Sequence, residues 1–459
     1  MKFDSLRRKH PLLSYQSYRY SFDLDNEPQL NVEYRFQLEP DIFFSPKVTV
    51  SGIDLGKAAN LPKLLLDNLI FQLGLAELPS YWKCACPPVI KIEAGTLTQE
   101  QVGWWRDLFK LGLGEFYYQN QIDFLKEDLI DFQVEVQETT KSTNSTPDTN
   151  HYQTPYLVPV GGGKDSGLTL SLLDHSQESY DTLVLEPASP AAARLTNLSQ
   201  ASRQITARRT ICPNLLKLNQ QGYLNGHTPF STYLAFLSTL VAHLSGHQQI
   251  LVANESSANQ PNLEYRNTPI NHQWSKSFEF EQAFRDYAQK YLNSQPKQAE
   301  YLSFLRPLNE LQIAKKFAFF KEQLPHFKSC NVGQKQEVWC HHCPKCAFVF
   351  AMLYPFVNKH TLTTQVFSQD LFQDSSLLET FRQLADSSLD KPLECVGTNE
   401  EVLLALQMAV KSHLENNQPL PLVLDQLNDW LADQPVNNKL LEEWNPNHNL
   451  SKKLEKMLR

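Results

Sequence analysis

No stretch of this 459-residue chain approaches the ~20 consecutive apolar residues of a membrane-spanning helix, so no membrane partner is expected. The N-terminus, Met1-Lys2-Phe3-Asp4-Ser5-Leu6-Arg7-Arg8, has no apolar core of the signal-peptide kind, which makes the cytoplasm the expected location. Basic excess is also missing. Lys and Arg number 42 against 50 Asp and Glu, a formal net charge of −8, which argues against a nucleic-acid partner. Eight cysteines in so long a chain do not form the dense pattern of a secreted disulfide framework, and no internal repeat is found. What remains is ordinary for a large globular protein: 41% hydrophobic and 20% charged residues, enough for two or three domains with a sizeable core.

The chain divides by pattern. Residues 14–38 read as strands, with Tyr18, Tyr20 and Phe22 alternating, a turn at Asn26-Glu27-Pro28, and Val32, Tyr34 and Phe36 alternating again. Helical patterns follow around Leu61–Leu73 and Gln99–Leu111, so residues 1–136 are expected to form a small α+β domain. Residues 137–155, rich in Thr, Ser, Asn and Gln, predict a linker. From 156 to 355 the order is strand–helix: Tyr156–Val160, a helix from Asp165, Thr182–Leu185, a helix from Pro190, a third strand at 203–211, a helix Ser231–Leu244, and the strand Ile250–Ala253. That alternation predicts a parallel sheet. Phe280, Phe284, Tyr287 and Tyr291 share one helical face, best read as core packing. A helix after Pro307 carries Ile313, Phe317 and Phe320. Residues 356–459 read as a helical C-terminal region with breaks near 416–421 and 433–437.

Three constellations carry chemistry. In the first, Gly161, Gly162, Gly163, Lys164, Asp165 and Ser166 follow a strand and open a helix, where glycines let backbone N–H groups approach a phosphate. Lys164 and Ser166 would add charge and a hydroxyl, and Asp165 would orient the loop or help hold Mg²⁺. The alternative is a glycine turn capped by Asp165 or Ser166. The order Gly-Gly-x-Asp-Ser is not a Walker A loop; it resembles the PP-loop of the ATP pyrophosphatases, although Gly161 stands where that loop usually has a Ser. The second constellation is Cys330, Cys340, Cys343 and Cys346, a spacing suited to tetrahedral Zn²⁺, with an iron–sulfur cluster or unmetallated buried cysteines as alternatives. The third is the polar run from Asn254, Glu255 and Asn259 through Arg266 to His272 and Lys276. It begins at a strand end, where ligands bind in open α/β sheets. His272 and Lys276 are the candidate acid/base groups. Arg306 would clamp a carboxylate or phosphate, an ordinary salt bridge being the alternative.

The stretches Gly161–Ser166, Asn254–Asn259, Asn271–Ser277, Phe304–Leu311 and Ser329–Phe350, in this order, resemble the UDP-N-acetylmuramoyl-L-alanyl-L-glutamate epimerases, the MurL family. The resemblance covers roughly residues 155–355 and implies an α/β PP-loop ATP pyrophosphatase core (adenine nucleotide alpha hydrolase-like). It also implies an isomerase that uses ATP and Mg²⁺, releases AMP and diphosphate, and converts the terminal L-Glu of the UDP-muramoyl dipeptide to D-Glu. Asn254, Glu255, Asn259, Arg266 and Arg306 become candidate substrate contacts, and His272, Lys276 and Asp165 candidate catalytic groups. The 7-cyano-7-deazaguanine synthases share the loop and the cysteine pattern but lack the long N-terminal region. A tRNA-thiolating enzyme and a catalytically lapsed nucleotide-binding module are the other readings.

Overall fold

The structure is a computed structural model that describes residues 2–23, 28–136, 154–293, 298–333 and 336–459. The expected turn at 26–27 and most of the expected linker 137–155 lie outside these residues. Among the described residues, eleven strands share one mixed sheet and two more form a hairpin. The first four are β1 (Leu12–Asp23), β2 (Gln29–Leu38), β3 (Ile42–Phe44) and β4 (Lys47–Ser51), followed by β5 (Val89–Leu97) and β6 (Asp131–Val136). Then come β7 (Tyr156–Pro159), β8 (Tyr180–Glu186), β9 (Arg203–Thr210) and β10 (Gln249–Val252). The hairpin β11 (Leu263–Tyr265) and β12 (Thr268–Ile270) precedes the last strand, β13 (Glu300–Ser303).

The sheet order is β13-β10-β7-β8-β9-β4-β2-β1-β5-β6, with β3 beside β2. The five strands from β13 to β9 are all parallel. Their first member in the chain, β7, lies in the middle, so the connections run outward in both directions from its carboxyl end. That reversal opens a crevice between β7 and its neighbours, the usual ligand position of such a sheet. The N-terminal strands continue the same sheet, because β4 pairs antiparallel with β9 from Lys47↔Thr210 to Ser51↔Thr206.

Local patterns explain these elements. Leu30, Val32, Tyr34, Phe36 and Leu38 point to one buried face of β2, the period of two expected of a half-covered strand. All four residues of β7 are buried, as a strand covered on both faces requires. The helix Lys63–Trp82 extends well past the expected Leu73, since its second half, Phe71 to Trp82, is apolar and buried almost throughout. Helix starts are marked by capping boxes at Thr98/Gln101, Asn309/Gln312 and Thr398/Glu401. The expected apolar stripe after Pro307 ends at Phe317, and Phe320 follows the helix Glu310–Phe317.

One core fills the space between the N-terminal helices and one sheet face. It joins Tyr15, Tyr34 and Trp82 to Leu157, Ile205, Leu237 and Phe284. A second core lies on the other face, where Val158, Leu168 and Phe317 meet Phe348 and the C-terminal helices through Leu404 and Leu424. Among the described residues, no helix is long and apolar enough to cross a membrane.

Candidate active site

The glycine loop leaves the carboxyl end of β7 and enters the helix Lys164–His175. Gly163 is its N-cap, and no side chain caps the helix there. The first N–H groups of the helix, without a capping side chain, favour an anion. Gly162 has φ +90°, and a Cβ there would sit 2.5 Å from Ser189 Oγ. Only glycine fits. Ser166 Oγ accepts a hydrogen bond from Gly161 N–H at 3.1 Å. Beside the loop lies a cavity of about 320 Å³ with apolar walls from Val160, Leu183, Leu185 and Phe230 and a polar rim including Glu186 and Arg209.

Lys164 does not reach into open space. It is 1% exposed and ion-paired with both Asp165 and Glu310. Asp165, Glu255 and Glu310 are close enough to feel one another's charge. Burial raises the Glu255 pKa, and Asp165 adds to it. Burial also lifts Glu310, to about 7, with Asp165 and Glu255 opposing the lysine beside it. Asp165 itself is lowered. Burial acts against ionisation, but Lys164, Lys345 and Lys276 outweigh it. The three carboxylates are thus coupled by charge, with the Lys164 ammonium between Asp165 and Glu310.

The run 254–277 folds as a self-laced loop. Asn254 Nδ2 donates to Ser303 Oγ at 3.1 Å, Asn259 Oδ1 accepts from Phe278 N–H at 2.8 Å, and Asn262 Oδ1 accepts from His272 N–H at 2.9 Å. Asn254 and Asn259 therefore hold the loop's shape. Arg306 is fully buried, and its guanidinium bonds the carbonyls of Glu255 and Lys276 as well as Ser303 Oγ. Its fork ties the two ends of the loop to β13 rather than facing an open cleft. Arg266 lies apart on the surface, 3.5 Å from Asp123.

His272 and Lys276 do come together, around a third group. Lys276 Nζ lies 3.3 Å from Cys395 Sγ, and His272, whose Nδ1 hydrogen-bonds the Glu115 carboxylate, is coupled by charge to the same thiol. Burial lowers the His272 pKa, but Cys395 and Glu115 more than reverse this and hold it near 9. Lys276 is likewise raised, burial being outweighed by Cys395, Glu255 and Asp165. His227, its Nδ1 3.5 Å from Glu115, is driven the other way to about 3 by burial and by the positive charges of His272, Lys83 and Lys276.

The four cysteines converge. Sγ–Sγ distances are 4.0 Å for Cys330–Cys343, 3.7 Å for Cys340–Cys346 and 3.5 Å for Cys343–Cys346. Ligands ~2.3 Å from a tetrahedral zinc lie about 3.8 Å apart, so the set fits that ion. The cluster also abuts the glycine loop, since Lys328 N–H donates to Gly162 O at 2.9 Å.

Glu115, His227, Glu310, Lys345 and Cys395 were not among the sequence candidates. Glu310 and Lys345 stand inside motifs that the sequence displays, Phe304–Leu311 and Ser329–Phe350. Cys395 was visible only as an isolated cysteine. Glu115 and His227 carry no local signal, because their significance arises from contact with His272 across distant segments.

Comparison with known proteins agrees with this order of motifs. Residues 7–304 match the family model of the MurL N-terminal domain, and residues 326–440 that of the MurL C-terminal domain. A UDP-N-acetyl-alpha-D-muramoyl-L-alanyl-L-glutamate epimerase of Xanthomonas oryzae pv. oryzae is 31% identical over 407 residues, 87% of this chain and 86% of that one. The enzyme of the same name from Salinispora tropica is 33% identical over 350 residues, 75% of this chain and 73% of its own. That of a Micromonospora species is 31% identical over 363 residues, 77% of each chain. No solved structure gives a significant match. With both halves matched and relatives aligned over most of its length, the chain belongs to the MurL epimerase family.

Proposed function

We propose that this protein epimerises the terminal L-Glu of UDP-N-acetylmuramoyl-L-alanyl-L-glutamate to D-Glu, activating the glutamyl carboxylate with ATP and releasing AMP and diphosphate. The observation that carries this reading is continuity. Asp165, at the start of the phosphate-loop helix, and Lys276, beside His272, belong to one charge-coupled cluster, so anion-binding and proton-exchanging groups share a site.

The chemistry follows from charge. A carboxylate resists losing its α-proton, because a second negative charge would form beside the first. Attack of that carboxylate on the ATP α-phosphate removes the charge and gives an acyl-adenylate, next to which the proton leaves as part of an enolate. Reprotonation from the opposite face inverts the centre, and hydrolysis closes the cycle.

In a PP-loop reading of the fold, the uncapped N–H groups at Lys164 to Ser166 hold the phosphates and the cavity beside Val160 and Phe230 takes the adenine. Asp165 and Glu255 would hold Mg²⁺, which offsets phosphate charge. Zn²⁺ at the four cysteines would be structural, a closed thiolate set that braces the loop. Lys164 acts from within, fixing Asp165 and Glu310. The reading places the protein in the cytoplasm, a reducing compartment that suits its free thiols.

Incubation with the UDP-muramoyl dipeptide, ATP and Mg²⁺ should yield AMP, diphosphate and D-Glu on chiral analysis. AMP without change of configuration would point to a ligase of the 7-cyano-7-deazaguanine synthase kind. No AMP would refute the activation step.

A further inference from the structure

Cys395 has no part in the scheme above, yet widely separated segments converge on it. Lys276 Nζ approaches its Sγ at 3.3 Å, the Lys345 ammonium is held on its carbonyl oxygen, and the charge of His272 acts on the sulfur. Glu115 fixes His272 from behind, and Glu394 is the neighbouring acid. The segment carrying the thiol is fastened to the 254–277 loop on both sides of it. Lys391 N–H donates to Asn262 O at 3.1 Å, Asn262 Nδ2 to Pro392 O at 2.8 Å, and Gln273 Nε2 to Val396 O at 3.2 Å.

Other buried cysteines show what such a thiol does without this company. Burial raises Cys84 to about 12 and Cys86 well above the ordinary range, which leaves both inert thiols. At Cys395 burial also opposes ionisation, but Lys276, His272 and Lys345 overcome it and bring the thiol to about 5. The same contacts keep His272 and Lys276 protonated. A cation has no lone pair with which to accept a proton. Of the three charge-coupled groups, the sulfur alone is equipped to act as the base.

We propose that the Cys395 thiolate removes the α-proton of the activated glutamyl unit, with Lys276 and His272 as positioning residues that keep the sulfur ionised. This assignment rests on the function proposed above. The step balances: Sγ takes the proton and becomes a thiol while the C–H electron pair moves into the acyl group as an enolate. The enolate then collapses as Cα takes a proton from water on the opposite face. The thiol returns its proton to water, and hydrolysis of the acyl–phosphate bond frees AMP and the D-glutamyl carboxylate.

The test separates activation from proton transfer. Full-length Cys395→Ser and Cys395→Ala are assayed in D₂O with the UDP-muramoyl dipeptide, ATP and Mg²⁺. AMP release, the earlier step, is the internal reference for each variant. Deuterium entry at the glutamyl Cα and D-Glu formation should fall by roughly 100-fold or more, the contribution of a positioned base. Native enzyme alkylated at Cys395 gives the same partition without depending on how a variant folds. Deuterium entry that persists, or that falls only in step with AMP release, overturns the assignment. Wild-type enzyme that releases no AMP overturns instead the function on which it rests.

Discussion

Gly161 and Gly162 are adjacent and differ in what they tolerate. A Cβ at Gly161 would meet nothing nearer than Ser166 Oγ at 3.9 Å, whereas one at Gly162 would come within 2.7 Å of Ala192 N in a backbone of φ +90°. Space therefore does not explain why Gly161 replaces the serine usual in a PP-loop. Gly161→Ser should change unfolding free energy by no more than about 0.5 kcal/mol and keep AMP release. Gly162→Ala should cost about 1–3 kcal/mol in denaturant unfolding and abolish AMP release. A second residue-scale prediction concerns protons. His272 is raised from 6.5 to about 9, so its contribution is complete below pH 6.5 and is lost as pH rises through 9. Cys395 is lowered from 9.0 to about 5, so its contribution is complete above pH 9 and is lost as pH falls through 5. Between pH 6.5 and 9 the two slopes, each ~1.4 kcal/mol per pH unit, oppose one another. Wild type carries both slopes; His272→Gln lacks the descending one. Denaturant midpoints of the two proteins should therefore converge from pH 7 to pH 9, and a constant or widening gap would contradict the charged pair.

At the scale of elements, the cysteine cluster and the glycine loop act as one unit. Lys328 N–H bonds Gly162 O, and a Cβ on Gly163 would lie 3.0 Å from Ser329 Oγ, so the chain entering the cluster forms a wall of the glycine loop. Cys343→Ser should lower bound zinc from about one per chain to near zero by metal analysis. It should also abolish AMP release while the far-ultraviolet circular dichroism of the sheet persists. An iron–sulfur absorption band in the native protein would refute the zinc assignment. This unit was legible because its parts are local: a buried strand, three glycines, an amphipathic helix and close cysteine spacing. Elements without such marks escaped. Strand β13 is only Glu300–Ser303, too short for a strong strand pattern, whereas β5 does alternate buried Ile90 and Ile92 with exposed Lys91 and Glu93 and was open to reading. The cluster around His272 and Lys276 was half legible for the same reason. His272 and Lys276 share one short polar run, but Glu115, His227 and Cys395 reach them from a helix and two separate loops. Arg306 shows the complementary limit: its sequence context allowed a ligand clamp or a salt bridge, and packing reveals the Glu255 and Lys276 carbonyls and the Glu281 carboxylate, 3.4 Å away, around its guanidinium.

At the scale of the molecule, the division suggested at 137–155 falls within a single sheet. Strand β4 belongs to the N-terminal part, yet its outer hydrogen bonds go to β9 of the parallel half. The ion pair Arg209–Glu77 crosses the same junction at 2.6 Å, with Glu77 fully buried on the helix Lys63–Trp82. Removing either partner would leave a buried charge uncompensated, a loss of about 3–5 kcal/mol. Tyr15 and Tyr34 share a core with Leu157 and Leu237, so neither part closes its apolar surface alone. Cooperative unfolding follows when elements share a core and backbone pairing, because opening one part exposes the edge and face of the other. The full chain should therefore lose its β4–β9 junction and its parallel sheet in one transition. Amide protection at Val48 and Val50 of β4, in the N-terminal part, should share a denaturant midpoint with that at Leu183 and Val184 of β8, in the parallel part. Residues 1–136 expressed alone should associate or aggregate, since β4 would present an open edge beside uncovered apolar surface. Two separated midpoints together with a soluble, cooperatively folding 1–136 fragment would instead establish independent domains and limit the shared sheet to a docking contact.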